Sequence, residues 1–180
     1  MPQIDWNFII TKFFDVLCQG TVAGVIVLIF SEKFRSNRER KTMRQYAVLL
    51  SAELTGHSIL FSEILKTKII SPSAHQTCLT TFLWKDVRLH FTVMPNHHFN
   101  KLALYYQMLP STIRILEIYS GTFPPPEHAI VLNQSLIMCQ ISLLITQAYT
   151  EPKDSMKAKL IVDALILEKK AQATYPHLFK

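Results

Sequence analysis

The chain has 180 residues, of which 49% are hydrophobic, and a formal net charge of +6. Its four glycines form no GxGxxG or P-loop pattern, which excludes the common phosphate-binding loops. Only four glycines against nine prolines, together with few runs of alternating polarity, favour long helices over sheet, so we predict an all-α fold.

The first predicted element is an apolar helix that spans a membrane. Residues 16–30 carry no charge and, as a helix, cover about 22 Å, whereas 8–30 cover about 34 Å and exceed the ~30 Å hydrocarbon core. The longer segment includes Lys12 and Asp15, which are three residues apart and can pair on a helix. The alternative is an apolar helix in the core of a soluble protein.

Five residues of this span are candidate contact sites. Gly20 and Gly24 have the GxxxG spacing that lets two helices approach closely. Lys12, Asp15 and Gln19 share one helix face, and polar side chains are costly in lipid. We expect this polar stripe either to face a partner helix or lumen, or to meet headgroups at the outer interface.

A basic segment follows the span directly. Its cations are Lys33, Arg35, Arg38, Arg40, Lys41 and Arg44. Positive charge after the apolar run predicts an N-terminus outside and a C-terminal domain in the cytoplasm of a bacterial inner-membrane protein. Anionic lipid is the nearest partner, at about 1 kcal/mol per basic residue close to the surface, with nucleic acid as the alternative.

We therefore divide the chain into three parts: a tail and transmembrane helix at 1–30, a basic juxtamembrane segment at 31–45 and a cytoplasmic helical domain at 46–180. Just after the basic residues, apolar positions step by three and four. This seam comprises Met43, Ala47, Leu50, Leu54, His57, Phe61, Ile64 and Lys68. The spacing predicts a helix that packs on its own domain or against neighbouring subunits. We expect His57 to be a hydrogen-bonded core histidine.

Four further helices are predicted. The proline at 72 predicts that the seam helix ends at 71–73. A short helix is then predicted around 82–91. Asn96 is expected to cap the next helix, which Pro110 kinks or divides.

The last two predicted helices cover 127–150 and the stretch from Ser155, as the cap, to about Thr174, before a loosely held tail. Residues 129–148 carry no charge and are apolar nearly all round. Such a helix is either the centre of a bundle or a second span.

No catalytic or metal site is predicted. Cys18, Cys78 and Cys139 are far apart and lack the CxxC and Cys/His spacings of zinc sites. His97 and His98 are adjacent, so on a helix they diverge by ~100° and share one metal poorly. We expect a protein that is not an enzyme and needs no cofactor.

The order of one N-terminal span, an immediate basic segment and a compact helical cytoplasmic domain resembles small membrane effectors of prokaryotic antiviral defence. These include membrane accessory proteins found beside CRISPR systems. The resemblance implies an effector that stays quiet until infection and then assembles or opens in the inner membrane and depolarises the cell. It assigns no functional residue.

From these features we predict an oligomeric inner-membrane effector that forms a pore or perturbs the membrane. Gly20 and Gly24 would pack its spans together, while Lys12, Asp15 and Gln19 face the interior of the assembly. The alternative is a membrane-tethered adaptor whose helical domain recruits a cytosolic partner. Membrane lipids and further copies of the chain are the expected partners, and the sequence identifies no cytosolic protein, RNA or nucleotide signal.

Overall fold

The computed structural model describes the backbone of residues 6–74, 76 and 82–179 and the side chains of 29–74, 76 and 84–179. All regular secondary structure in these residues is helical, which confirms the all-α class. Within the described residues, five α-helices have defined bounds: α1 (Trp6–Thr67), α2 (Phe82–Val87), α3 (Asn96–Ile118), α4 (Pro126–Thr150) and α5 (Asp154–Thr174). Two 3-10 helices cover Arg88–Phe91 and Pro176–Phe179.

The chain divides into two compact units, Met1–Lys41 and Thr42–Lys180. The described backbone of the first unit is helical and forms the N-terminal part of α1. The second unit holds the rest of α1 and every later helix. Its hydrophobic core takes residues from all five α-helices and from the 3-10 helix Arg88–Phe91.

The seam of α1 is buried in this core. Its members from Met43 to Ile64 are at most 8% exposed, and several are completely covered. The apolar residues of the seam therefore pack on the chain's own helical unit, one of the two arrangements that the spacing predicts. Lys68, the last position of the predicted seam, is exposed and lies beyond the end of α1.

Helix α4 packs against both α3 and α5. On α4, the side chains of Leu132, Met138 and Ile141 are fully buried. A helix that is apolar nearly all round is expected to be covered in this way. Pro110 neither divides α3 nor ends it, and the helix runs on to Ile118. The proline itself is exposed.

Two predicted helix caps are wrong. Asn96 is the first helical residue of α3, because the preceding Pro95 already provides the carbonyl that accepts the N–H groups of His98 and Phe99. Ser155 likewise lies inside α5, since the Lys153 carbonyl accepts the first bond of that helix. Neither start has a side-chain cap hydrogen bond.

Two other local predictions also differ from the structure. Helix α1 ends at Thr67, ahead of the proline turn, because Lys68 takes a left-handed conformation with φ 57°. The tail is not loosely held. His177 hydrogen-bonds to the Gln134 side chain at 3.0 Å, and the Lys101 ammonium lies 4.8 Å from the centroid of the Phe179 ring.

Candidate functional site

The predicted contact residues of the span lie in helical backbone. Helix α1 contains all five of these residues: Lys12, Asp15, Gln19, Gly20 and Gly24. Those that are three or four apart in the sequence therefore lie about one helical turn apart. Their side chains lie outside the described residues. The polar stripe and the glycine contact therefore stay predictions.

The basic segment is an exposed stretch of α1. All six of its cationic residues are solvent-exposed. Arg35 Nη2 donates to the Glu32 carboxylate at 2.7 Å, and its Nε lies 3.8 Å from Glu39. Arg44 Nε donates to the Thr150 carbonyl at 2.9 Å, which ties the start of the second unit to the end of α4. Within the described part of the chain, the remaining four cations form no ion pair.

Large apolar side chains adjoin these cations. Ile29 is 61% exposed, Phe30 56% and Phe34 71%. Exposed aromatic and aliphatic groups next to solvent-facing cations are the combination that a membrane interface accommodates, because the apolar groups enter the headgroup boundary while the cations meet lipid phosphates. The described residues at the start of the basic segment are therefore suited to an interface.

Within the part of the chain that the structure describes, two helical stretches, Ile29–Thr67 and Pro126–Thr150, are long and apolar enough to cross a membrane. The mean hydropathy of the most apolar window is 1.3 in the first and 1.7 in the second. Much of the first, from Met43 onward, contributes the seam to the protein core, and half of the most apolar window in the second is buried. Core helices of soluble proteins pass the same test. The predicted span at 8–30 falls mostly outside the residues to which this test applies.

A buried polar cluster joins α1 to α3. Tyr106 donates its hydroxyl to Glu53 at 3.0 Å, and His57 Nδ1 lies 2.7 Å from the Tyr105 hydroxyl. The Trp84 ring stacks on Tyr106 with centroids 4.9 Å apart and planes 4° from parallel. Burial raises the pKa of Glu53 to about 7, partly offset by the hydrogen bond from Tyr106. The tyrosine pKa is also raised, first by burial and then by the carboxylate beside it.

A second cluster joins α3, α4 and α5. His98 Nδ1 lies 2.8 Å from the Tyr149 hydroxyl, and the Lys157 ammonium lies 4.7 Å from the centroid of the Tyr149 ring. Burial, followed by the positive charge of neighbouring groups, lowers the pKa of His98 to about 4, so this imidazole is neutral at physiological pH. Nearby, Lys101 and Glu168 form a largely buried ion pair.

These clusters have the chemistry of packing groups. The histidines and tyrosines pair with each other, and the buried thiol of Cys139 donates to the Leu54 carbonyl at 3.2 Å. Among the described residues, no group of three or more His, Cys, Asp or Glu side chains could hold a metal ion. His97 is exposed while His98 is buried against Tyr149, so the adjacent pair faces two different environments.

Sequence reasoning missed most of these polar partners. His57 is hydrogen-bonded in the core as predicted, but its partner Tyr105 lies 48 residues away. Glu53 precedes His57 by one helical turn, and this i, i+4 spacing was the only local signal that the two share a face. The ion pair between Lys101 and Glu168 spans 67 residues and has no local signal at all.

Comparison with protein families, with curated proteins and with solved structures gives no match to this chain.

Proposed function

We propose that this chain is a single-pass protein of the bacterial inner membrane. Its span is 8–30, its N-terminus is outside and its helical unit, Thr42–Lys180, is cytoplasmic. The observation that supports this best is the solvent-facing basic segment on α1, with exposed Ile29, Phe30 and Phe34 at its start. Cations that follow an apolar run stay on the cytoplasmic side during insertion.

Within this arrangement, the protein acts as a membrane-tethered adaptor. The burial of the α1 seam favours this function over self-assembly, because the residues that could zip one copy to another already form the core of a single copy. The two buried polar clusters are internally hydrogen-bonded and stabilise the same unit. The span then serves as an anchor, and the surface of the helical unit recruits a cytosolic partner.

Exchange of the span tests the adaptor function. Residues 8–30 are replaced by an unrelated apolar span of equal length, and both proteins are reconstituted in vesicles and expressed in cells. For a tether, we expect unchanged in-cell crosslinks to cytosolic proteins after the exchange, and no ion flux from either protein. An ion flux that the native span supports and the exchanged span abolishes contradicts the adaptor.

A second candidate function is an oligomeric effector that forms a pore or perturbs the membrane, in antiviral (phage) defence. The polar spacing of Lys12, Asp15 and Gln19 favours it, because these residues recur along one side of a continuous helical backbone. In that assembly, Gly20 and Gly24 form the contact between neighbouring spans.

The mass of the full-length protein in mild detergent, measured by light scattering and corrected for bound detergent, tests the effector. A pore requires a discrete oligomer, and replacing Gly20 and Gly24 by Leu should disrupt it while membrane insertion persists. Cys18→Leu and Thr21→Leu together provide a control, because they add bulk on a different side of the helix from Gly20 and Gly24. A monomer, or an oligomer that the glycine substitutions leave unchanged, contradicts the pore.

A further inference from the structure

Helix α5 has an outer face on which exposed apolar side chains are flanked by lysines. Val162 is 52% exposed, Leu165 46% and Ile166 48%, although the opposite side of the same helix packs against α4. Exposed lysines lie about one turn before and one turn after these three residues. We call this surface the lysine face and define it by Lys159, Val162, Leu165, Ile166, Lys169 and Lys170.

Every exposed charged residue at 155–174 is a lysine. The two acidic residues of this stretch, Asp163 and Glu168, are only partly exposed, and Glu168 is paired with Lys101 on α3. At ~100° per residue, the six members of the lysine face fall within an arc of about 140°. Asp154, the first residue of α5, is exposed near one edge of this arc, and Asp163 is partly exposed one turn from Lys159. Within the arc itself, the charged side chains are all lysines, so the lysine face combines positive charge with apolar surface.

We propose that the lysine face binds an anionic lipid surface. The apolar side chains enter the boundary between headgroups and acyl chains, while the flexible lysine stems carry their ammonium groups out to lipid phosphates. The inference rests on the proposed membrane anchor, which holds the helical unit within reach of a bilayer. It adds a second lipid contact, separate from the basic segment of α1.

Charge decides between lipid and a second copy of the chain. A symmetric contact between two lysine faces sets Lys159, Lys169 and Lys170 of one copy against those of the other, and like charges oppose that contact. An anionic bilayer instead contributes about fivefold in the docking equilibrium for each lysine near its surface. The lysine face is therefore complementary to lipid and not to itself.

Depth-dependent fluorescence quenching tests the proposal on the full-length protein. In a background with Cys18→Ser and Cys78→Ser, a bimane label is placed at Ile166→Cys or, as a reference for the anchor, at Phe34→Cys. Buried Cys139 stays unlabelled. The proteins are reconstituted into vesicles with brominated acyl chains, composed either of phosphatidylglycerol with phosphatidylethanolamine or of phosphatidylcholine alone.

We expect lipid quenching at residue 34 in both vesicles and at residue 166 only in the anionic ones. Replacing Lys159, Lys169 and Lys170 by Glu should shift the docking equilibrium at residue 166 by roughly a hundredfold. A matched control carries Lys66→Glu, Arg88→Glu and Arg114→Glu, which change the net charge equally at exposed positions of other segments. This control should keep the quenching.

Three results would overturn the inference in different ways. Quenching at residue 34 with equal, low quenching at residue 166 in both vesicles removes the lysine face as a lipid contact and leaves the anchor in place. Protection of residue 166 from aqueous iodide without quenching by brominated lipid identifies a protein partner or a second copy instead. No quenching at residue 34 removes the membrane anchor itself, and the lipid role of α5 with it.

Discussion

Glu53 shows how burial alone changes the charge of a residue in this fold. Its pKa rises from an ordinary value of 4.5 to about 7, even though the Tyr106 hydroxyl stabilises the carboxylate. An acid with a higher pKa in the folded chain binds more protons when folded than when unfolded. The free energy of unfolding therefore decreases as the pH rises through 4.5 toward 7, and the penalty is fully present above that range.

We expect Glu53→Gln to remove this penalty, since the amide keeps an oxygen for the Tyr106 hydroxyl and has no charge to desolvate. At pH 8 the variant should be more stable by about 1–2 kcal/mol, a value reduced for the partial solvent exposure of the side chain. At pH 4 the two proteins should be nearly equal. Urea unfolding in detergent at both pH values measures the difference.

The exposed Glu117→Gln on α3 is the matched control and should leave the pH dependence of unfolding as it is in the parent chain. If the unfolding free energy of Glu53→Gln depends on pH as that of the parent does, another group causes the pH dependence.

Single residues also mark the limit of sequence reasoning here. The burial of His57 could be predicted because the residue lies on an apolar seam with a period of three and four. The lowered pKa of His98 could not, because it depends first on the burial that folding creates and then on the positive charge of neighbours, including Lys157 on another helix. Local pattern fixes which face of a helix is inside, but only the packed chain fixes which polar groups meet there.

At the scale of the element, α4 is mostly apolar but also carries buried hydroxyl side chains, and these form hydrogen bonds. Ser135 and Thr112 hydroxyls are 2.6 Å apart, Thr146 donates to the Ser142 carbonyl at 2.7 Å, and each of these side chains is completely buried. Buried hydroxyls that find partners cost little, so an apolar helix can carry them inside a protein core. These contacts favour α4 as a core helix.

Ser142→Leu distinguishes a core helix from a second span. The serine is 0% exposed, so the larger side chain should overpack the core and destabilise the helical unit by about 1–3 kcal/mol. Gln147→Leu, at a partly exposed position of the same helix, should change stability by about 0.5 kcal/mol or less. Thermal unfolding in detergent gives both values. A Ser142→Leu variant as stable as the parent would support lipid around α4.

Lys101 on α3 and Glu168 on α5 form an ion pair whose side chains are 20% and 15% exposed. Glu168→Ala leaves a mostly buried ammonium without its carboxylate, and we expect a loss of about 2–3 kcal/mol in unfolding free energy. The solvent-exposed pair of Arg35 and Glu32 offers a control, since Glu32→Ala should cost about 0–1 kcal/mol. If Glu168→Ala and Glu32→Ala lower the unfolding free energy equally, burial does not strengthen the pair of Lys101 and Glu168.

Helix positions could be predicted from the sequence more closely than helix ends. Prolines at 95, 124–126 and 152 separate α3, α4 and α5, because a proline cannot donate a backbone hydrogen bond. The exact starts of α3 and α5 could not be predicted, since the backbone carbonyls of Pro95 and Lys153 begin these helices without a side-chain cap. The 3-10 tail could not be predicted either, because its contacts to Gln134 and Lys101 come from distant parts of the chain.

For the whole molecule, the basic segment sets the orientation that we propose. Replacing Lys33, Arg35, Arg38, Arg40 and Lys41 by Gln removes the positive charge beside the span, and we expect a smaller fraction of chains with the N-terminus outside. A C-terminal alkaline phosphatase fusion, active only outside, measures the fraction of chains in the opposite orientation. Lys66→Gln with Lys68→Gln, far from 8–30 in the sequence, is the control. A fraction unchanged by all five substitutions would contradict charge-directed topology.

Lys68 holds a left-handed backbone conformation that costs a non-glycine residue about 1–2 kcal/mol, while its ammonium lies 4.6 Å from the centroid of the Phe123 ring. The two effects nearly offset each other. Glycine at this position would relieve the backbone and lose the ring, so the melting temperature would hardly move. What changes is the local opening of the chain: the Ile70 amide, bonded to the Thr122 carbonyl, should exchange its hydrogen with water faster. We therefore expect the cation at this one turn to limit how often the backbones of Ile70 and Thr122 separate.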